Sequence, residues 1–311
     1  MVAGDAVASM IHIHNGDVVA SAAKRAEIPG EHLAYRESLV SGPVVPGEEW
    51  IEMRARALAD SHGQDLLRVR TDLLEQEQTL DAAASRGEVV LWFEHDLYCL
   101  VHLVYLLQRF AGAGNLSLVW CPFPLSENEE RGLHLLYESR ETVTPELIST
   151  AQKVWSAYTS PDPTALNEWL RRDTSDFPFL REGIALHASR FPSDTNGLGA
   201  IEQRLLRHIA NGFTDFPTLF DHFNSEVPRF GFGDTEVFRH IKALANRTVP
   251  LLTLSGDLPK AICTITPAGE SVLRGEADDL AINDPDLWLG GAHLTRDAQW
   301  RWTGTNLSAA S

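Results

Sequence analysis

Two short polar clusters stand where an apolar strand hands over to a helix, and both carry residue types that move protons or hold ligands. The first is His12-Ile13-His14-Asn15-Gly16-Asp17; the second is Glu94-His95-Asp96, behind Val89-Val90-Leu91-Trp92-Phe93. A carboxylate beside an imidazole serves as general base and acid, or as a pair of ligands for a divalent cation. In a parallel α/β sheet such strand ends share one edge, where ligands bind, so the clusters have a route to one pocket.

Each residue also has a structural reading. Alternation along the first strand puts Ile11 and Ile13 on one face and His12 and His14 on the other. His12, inside the strand, reads as a hydrogen-bonded core residue, whereas His14 is nearer the end and better placed to reach a ligand. Asn15-Gly16 makes the turn. Asp17 and Asp96 read either as N-caps, accepting free backbone N–H groups at a helix start, or as holders of a cation. Glu94 and His95 are left without an evident structural duty and are the candidate catalytic base and acid.

Electrostatics narrows the ligand. A bare helix N-terminus invites phosphate, but an Asp at that point opposes an anion. Phosphate binding then needs a bridging cation such as Mg2+ at Asp17 and Asp96, or Arg36 reaching over from the second strand end. Arg36-Glu37 reads equally well as an internal ion pair. His14, Asn15, Gly16 and Arg36 are thus the candidate ligand-binding set. No Gly-x-Gly-x-x-Gly follows the first strand, and neither a Walker loop nor a Gly-x-Ser-x-Gly elbow is present, which disfavours dinucleotide dehydrogenases, P-loop NTPases and serine hydrolases.

These clusters need a scaffold, and the chain is long enough to supply more than one domain. Its 311 residues are 44% apolar and 22% charged, a globular composition. No apolar run approaches the ~20 residues that span a bilayer, and Met1 to Ser9 lacks the charge and the apolar stretch of a secretory signal. A cytoplasmic protein is expected, with residues 1–9, ahead of Met10, adding nothing to the fold. Cys99, Cys121 and Cys263 are odd in number and widely spaced, which reads as reduced, buried thiols. With 43 acidic against 26 basic residues the net charge is −17, a field that repels polyanions and anionic lipid.

Residues 10–125 alternate strand and helix patterns, predicting a Rossmann-like α/β domain with a mostly parallel sheet. Strands are expected near 10–14, 31–36, 88–93 and 116–121, and helices near 17–27, 48–60, 64–85 and 96–110. The Gly- and Pro-rich stretch 41–47 reads as a connector rather than a lid. From 126 to 197 strand signals give way to short helical segments, a helical connector; Thr144-Pro145 and Asp162-Pro163 each read as a cap followed by Pro at the first helical position. Residues 198–280 read as three helices (201–210, 216–224, 234–246) and a hairpin (250–254, 261–265), a winged-helix-like α+β domain. The tail 281–311, with Trp288, Trp300 and Trp302 around Gly290-Gly291, is expected to pack back on the body.

The helix that would read DNA opens with Asp234 and Glu236 before Arg239, His240, Lys242 and Arg247. Residues 198–280 hold eight Lys and Arg against eleven Asp and Glu. Acidic residues beside phosphates are unfavourable, so a structural or protein-contact role is preferred over DNA reading, which stays open.

Taken together, Ile11-His12-Ile13-His14-Asn15-Gly16-Asp17, Tyr35-Arg36-Glu37, Ser41-Gly42-Pro43 and Leu91-Trp92-Phe93-Glu94-His95-Asp96-Leu97-Tyr98 resemble the bacterial domain of unknown function 1835. The resemblance continues through Phe230-Gly231-Phe232-Gly233-Asp234-Thr235, Thr266-Pro267-Ala268-Gly269 and Trp288-Leu289-Gly290-Gly291-Ala292-His293-Leu294. It implies no established activity. Cys99-Leu100 stands where the family pattern has Asp-Gln, and His14 where an aliphatic residue is common. The leading expectation is a small polar ligand, a nucleotide or sugar phosphate, at the strand ends, with metal-assisted hydrolysis or group transfer if the protein is an enzyme. The alternative is a ligand-responsive regulator whose winged helix contacts DNA or a partner protein. Homo-oligomerisation is open, and no membrane partner is expected.

Overall fold

The structure, a computed structural model, describes residues 10–309 except positions 84, 86, 126, 127 and 228. The expectation for residues 1–9 lies outside the described residues. The described residues divide into two compact units: 10–40, 46–157 and 175–179 form the first, and 41–45, 158–174 and 180–309 the second. The segment expected as a connector, 126–197, is shared between them.

In the first unit β1 (Met10–Asn15), α1 (Asp17–Arg25), β2 (Glu31–Tyr35), α2 (Trp50–His62), α3 (Leu66–Ala83), β3 (Glu88–Glu94), α4 (Leu97–Arg109) and β4 (Leu116–Cys121) follow one another, and α5 (Glu130–Glu138), β5 (Glu141–Thr142) and α6 (Pro145–Tyr158) complete it. The strands form one sheet in the order β2-β1-β3-β4-β5, parallel except for β5, which runs antiparallel to β4. The short β5 lies where no strand was expected, because two residues are too few to carry a period. Period-two alternation sorts the sheet. Met10, Val90, Trp92, Val119 and Cys121 pack with Val19 and Ala23 of α1 and Leu133 of α5 on one face. On the other, Ile11, Ile13, Leu91 and Phe93 are fully buried, and α4, which packs against β3, is buried along nearly its whole length. Helices buried all round are apolar all round, which is the pattern of Leu97 to Leu107.

In the second unit a 3-10 turn (Pro163–Leu166) and α7 (Asn167–Arg171) precede α8 (Leu180–Ala188), α9 (Ala200–Ala210), α10 (Phe216–Ser225) and α11 (Asp234–Ala245). The antiparallel pair β6 (Leu252–Ser255) and β7 (Ile262–Ile265) follows, then α12 (Pro267–Leu273) and α13 (Asp279–Ile282). Three helices and a hairpin thus occur in the expected order. Two more antiparallel pairs end the chain: β8 (Leu287–Leu289) with β9 (Ala292–Leu294), and β10 (Trp300–Trp302) with β11 (Leu307–Ala309). The tail packs on its own unit. A Cβ at Gly290 or Gly291 would lie 2.3 Å from the Tyr158 carbonyl oxygen or 2.0 Å from that of Thr159, so only glycine permits this approach. Residues 41–45 are held in the same unit, where Val44 N–H donates to Gly290 O at 3.0 Å and the Ser41 hydroxyl to Glu236. Among the described residues no helix is long and apolar enough to cross a membrane.

Candidate functional site

The strand order places the site. From β1 the chain moves outward to β2, then returns to the other side of β1 to lay down β3, so the direction of winding reverses between β1 and β3. At such a switch point the loops at the carboxyl ends of the two strands diverge and leave a crevice. His14 pairs with Trp92, so Asn15-Gly16-Asp17 and Glu94-His95-Asp96 leave the sheet as neighbours. The Asn15 amide donates to Cys99 Sγ at 2.9 Å, tying the first loop to the opening turn of α4.

Gly16, not Asp17, occupies the cap position of α1. Its φ of 83° is a left-handed conformation that glycine adopts without strain, and it has no side chain to cap with. The cap residue itself therefore offers no side-chain acceptor to the first-turn N–H groups of α1. Asp17 is instead the first helical residue, where its charge complements the dipole, and its carboxylate is gripped by Arg36 through Nε at 2.9 Å and a terminal nitrogen at 2.6 Å. That bond holds the Asp17 carboxyl below its ordinary range and raises Arg36. Both side chains are well exposed, 61% and 71%. Of the two readings of Arg36, the internal pair with Glu37 does not form: Glu37 is buried against Arg54, 2.5 Å away, which also donates to Ser38 O at 2.8 Å.

On the β3 side Asp96 caps α4 as expected, accepting from Cys99 N at 2.7 Å. Glu94 has a structural duty that its sequence context did not reveal: Oε1 accepts Leu125 N–H at 2.9 Å and so fixes the loop after β4. His95 stays half-buried, its ring 4.4 Å from Trp120 and 5.5 Å from Phe179, nearly parallel to the latter. Its Nε2 has no hydrogen-bond partner among the described residues. Burial lowers its pKa, so the imidazole is neutral at neutral pH. Phe179 holds φ at 68°, a conformation costly for an aromatic residue.

His14 is not at the ligand edge. It is fully buried on the α1 face of the sheet, where Nε2 lies 2.9 Å from Nδ1 of His32. His12 stacks on His32 with centroids 4.7 Å apart, takes the Trp92 indole N–H on Nδ1 at 3.0 Å, and reaches Pro29 O through Nε2 at 3.0 Å. His32 Nε2 faces Ile28 O at 2.9 Å. A ring nitrogen facing a carbonyl must carry a proton, so His12 and His32 are protonated on Nε2, and His32 Nδ1 accepts the Nε2 proton of His14. Three neutral imidazoles result. Burial drives their pKa values down, that of His12 to about 4 and that of His14 well below its usual range. His12 is thus the core residue expected, and His14 shares its fate.

The structure brings Asn15, Gly16, Asp17, Arg36, Glu94, His95 and Asp96 to one edge and withdraws His14 from it. Asp17 and Asp96, expected as cation holders, both have protein partners, and among the described residues no group of three or more His, Cys, Asp or Glu converges as metal ligands. Sequence reasoning missed His32, Trp120 and Phe179. His32 was detectable, since parallel pairing puts it opposite His12 on the same face. Cys99 and Cys121 are free and buried, their thiols raised by desolvation, that of Cys121 to about 11, which rules out an activated thiolate at either position. No family model and no curated protein matches the chain.

Proposed function

We propose that the first unit, read as Rossmann-like and as a member of the domain of unknown function 1835 family, binds a small phosphorylated ligand of the nucleotide or sugar phosphate class at the β1/β3 switch point. The observation that carries this is the placement of an uncapped helix N-terminus, through Gly16, beside Glu94-His95-Asp96 at that crevice. The phosphate is received by the first-turn N–H groups of α1. Arg36 neutralises Asp17 in the free protein and turns its guanidinium to the incoming anion, which removes the electrostatic objection to an Asp at the helix start. His95 brings a neutral imidazole whose Nε2 is buried without a hydrogen-bond partner among the described residues, and Phe123, exposed just beyond β4, offers an apolar surface at the same edge.

Should the protein catalyse hydrolysis or group transfer, His95 is the base, because its burial keeps it unprotonated, while Glu94 positions the loop after β4. A divalent cation, Mg2+ above all, enters only if it displaces Arg36 from Asp17.

Calorimetry with AMP and with ribose 5-phosphate, each with and without Mg2+, tests the reading. Arg36→Ala and His95→Ala are expected to weaken binding at least about tenfold, the worth of one charge-assisted contact, while the far-UV circular dichroism spectrum is kept. Wild-type affinity in both variants sinks the site. The order of elements in 198–280 supports a second reading, a winged helix acting as a protein contact. DNA reading is weaker, because Arg239 is bound to Glu236 at 2.6 Å, Arg247 to Asp279, and Lys242 lies over the Phe238 ring.

A further inference from the structure

His95 lies at the strand-end crevice, yet its Nε2 is enclosed and has no hydrogen-bond partner among the described residues. A ligand cannot use an atom that is covered. The rings against the imidazole are Trp120, with centroids 4.4 Å apart, and Phe179, at 5.5 Å and nearly parallel to it.

Two of these three residues are fixed by the sheet. His95 N–H donates to Cys121 O at 2.8 Å, and Trp120 pairs with Phe93, so neither backbone moves without breaking strand pairing. Phe179 is different. It belongs to residues 175–179, which join the first unit from far along the chain, and it lies in no helix or strand. Its φ of 68° is left-handed, a conformation costly for an aromatic side chain, and such strain persists only where other contacts hold it.

The Trp120 indole supplies one such contact, its N–H donating to Pro178 O at 2.9 Å. That bond is open to solvent and Pro178 is exposed, so water can replace the indole as donor. The chain is anchored on either side, by Phe177 at 2% exposure and Leu180 at 0%. A movement confined to 178–179 therefore suffices: Phe179 turns to an ordinary negative φ, the strain is relieved, and the ring leaves His95.

We propose that Pro178-Phe179 is a latch, closed over His95 in the free protein, whose opening admits the phosphorylated ligand to the imidazole. Its role as a gate rests on the phosphate reading of the crevice; its closure over His95 does not. A gated site binds with an affinity reduced by the fraction of molecules that are open, so loosening the latch tightens binding. A stack that is merely structural behaves otherwise: loosening it leaves affinity unchanged.

The experiment is carbethoxylation of the full chain by diethyl pyrocarbonate, following the Nε2 isomer at each histidine by peptide chromatography and mass spectrometry. Exposed His62 sets the fast limit, and buried His12 and His14 the slow one. Wild-type His95 Nε2 is expected to react at least about tenfold more slowly than His62, as an atom reached only by local opening does. Trp120→Phe keeps a ring but loses the bond to Pro178, and is expected to speed the reaction about threefold to tenfold. Phe179→Gly removes the cover and is expected to bring His95 close to His62. Calorimetry with AMP and ribose 5-phosphate is expected to show binding tightened by the same factor in Trp120→Phe as its labelling is accelerated. If Trp120→Phe loosens the whole unit, which reactive His12 and His14 would reveal, Phe179→Gly decides alone. The latch is overturned if wild-type His95 reacts as fast as His62, if the variants do not accelerate it, or if they accelerate it and bind AMP no more tightly than wild type. Accelerated labelling with no phosphate binding in any variant supports the closure over His95 and sinks the phosphate reading alone.

Discussion

Within the first unit, residues a few positions apart on the same strands have opposite fates. His12 and His14 lie in the paired length of β1 and are fully buried, while just past the last pair Gly16 is half-buried and Asp17 exposed. On β3 the same step separates Trp92, buried beside His12, from His95, half-buried with a nitrogen to spare. Imidazoles occur on both sides of the boundary, so residue type does not decide burial here. Position relative to the end of strand pairing does. Inside it, the rings are desolvated, His12 and His32 are fixed in one tautomer by carbonyl and indole partners and His14 by its bond to His32; beyond it, the backbone is no longer committed to the sheet.

The largest expected difference between the two levels is in stability. Trp92→Ala empties a fully buried site and strips His12 Nδ1 of its donor, with an expected loss of about 3–5 kcal/mol. His95→Ala removes one ring from a half-buried stack, for about 1 kcal/mol. Urea denaturation of the two variants compares them. Equal losses would mean that the strand-end loop is as much core as the layer beneath it, and the boundary would have no functional meaning.

Acid titration sharpens the same contrast. His12 has a folded pKa of about 4 against 6.5 unfolded, so the unfolded chain takes the proton first. Stability is complete above about pH 6.5, falls as the pH drops below it, and levels off near the folded value. At pH 5 the loss from His12 alone is about 2 kcal/mol, at about 1.4 kcal/mol per unit. His14 and His32 act in the same direction. Asp17 contributes on a different range: lowered by Arg36, its small stabilisation is present above its unfolded pKa of 3.8 and is lost only as the pH falls through the lower folded value. Denaturation midpoints at several pH values between 7 and 3 read both slopes. A flat profile between pH 7 and 5 would show that the three rings are not held neutral by burial.

What was legible in the sequence divides along similar lines. The strands at 10–14, 31–36, 88–93 and 116–121 fall within one or two residues of β1 to β4, and the three helices and hairpin after 198 lie where their periods and caps put them, because those signals are local. Asp17 reads as the cap of the next helix, yet Gly16 takes that position, because its positive φ, a matter of how the loop leaves the sheet, is not written in the local pattern. The partner of Arg36 was not readable from its neighbour: Glu37 is claimed by Arg54 of α2, and Arg36 pairs with Asp17. Trp120 was masked by its place in an apolar strand. Phe179 reaches His95 from a segment far along the chain, and no spacing rule connects them.

The smallest expected effect on stability carries the most about mechanism. Asp17→Asn breaks an exposed ion pair, for which the expected loss is below about 0.5 kcal/mol by urea denaturation. Its effect on ligand binding has a sign that separates two ways of holding phosphate. If the anion is met by the α1 N-terminus and Arg36 directly, Asp17 competes for the guanidinium and repels the ligand. Its loss then tightens AMP or ribose 5-phosphate binding by about threefold to tenfold without Mg2+. If a cation bridges the phosphate to Asp17, the same substitution weakens binding, and only when Mg2+ is present. With Arg36 bidentate on Asp17 and no third carboxylate or imidazole converging there among the described residues, tighter binding is the expected result. Weaker, Mg2+-dependent binding would restore Asp17 to the role of a metal ligand and leave Arg36 as its counter-ion in the resting state.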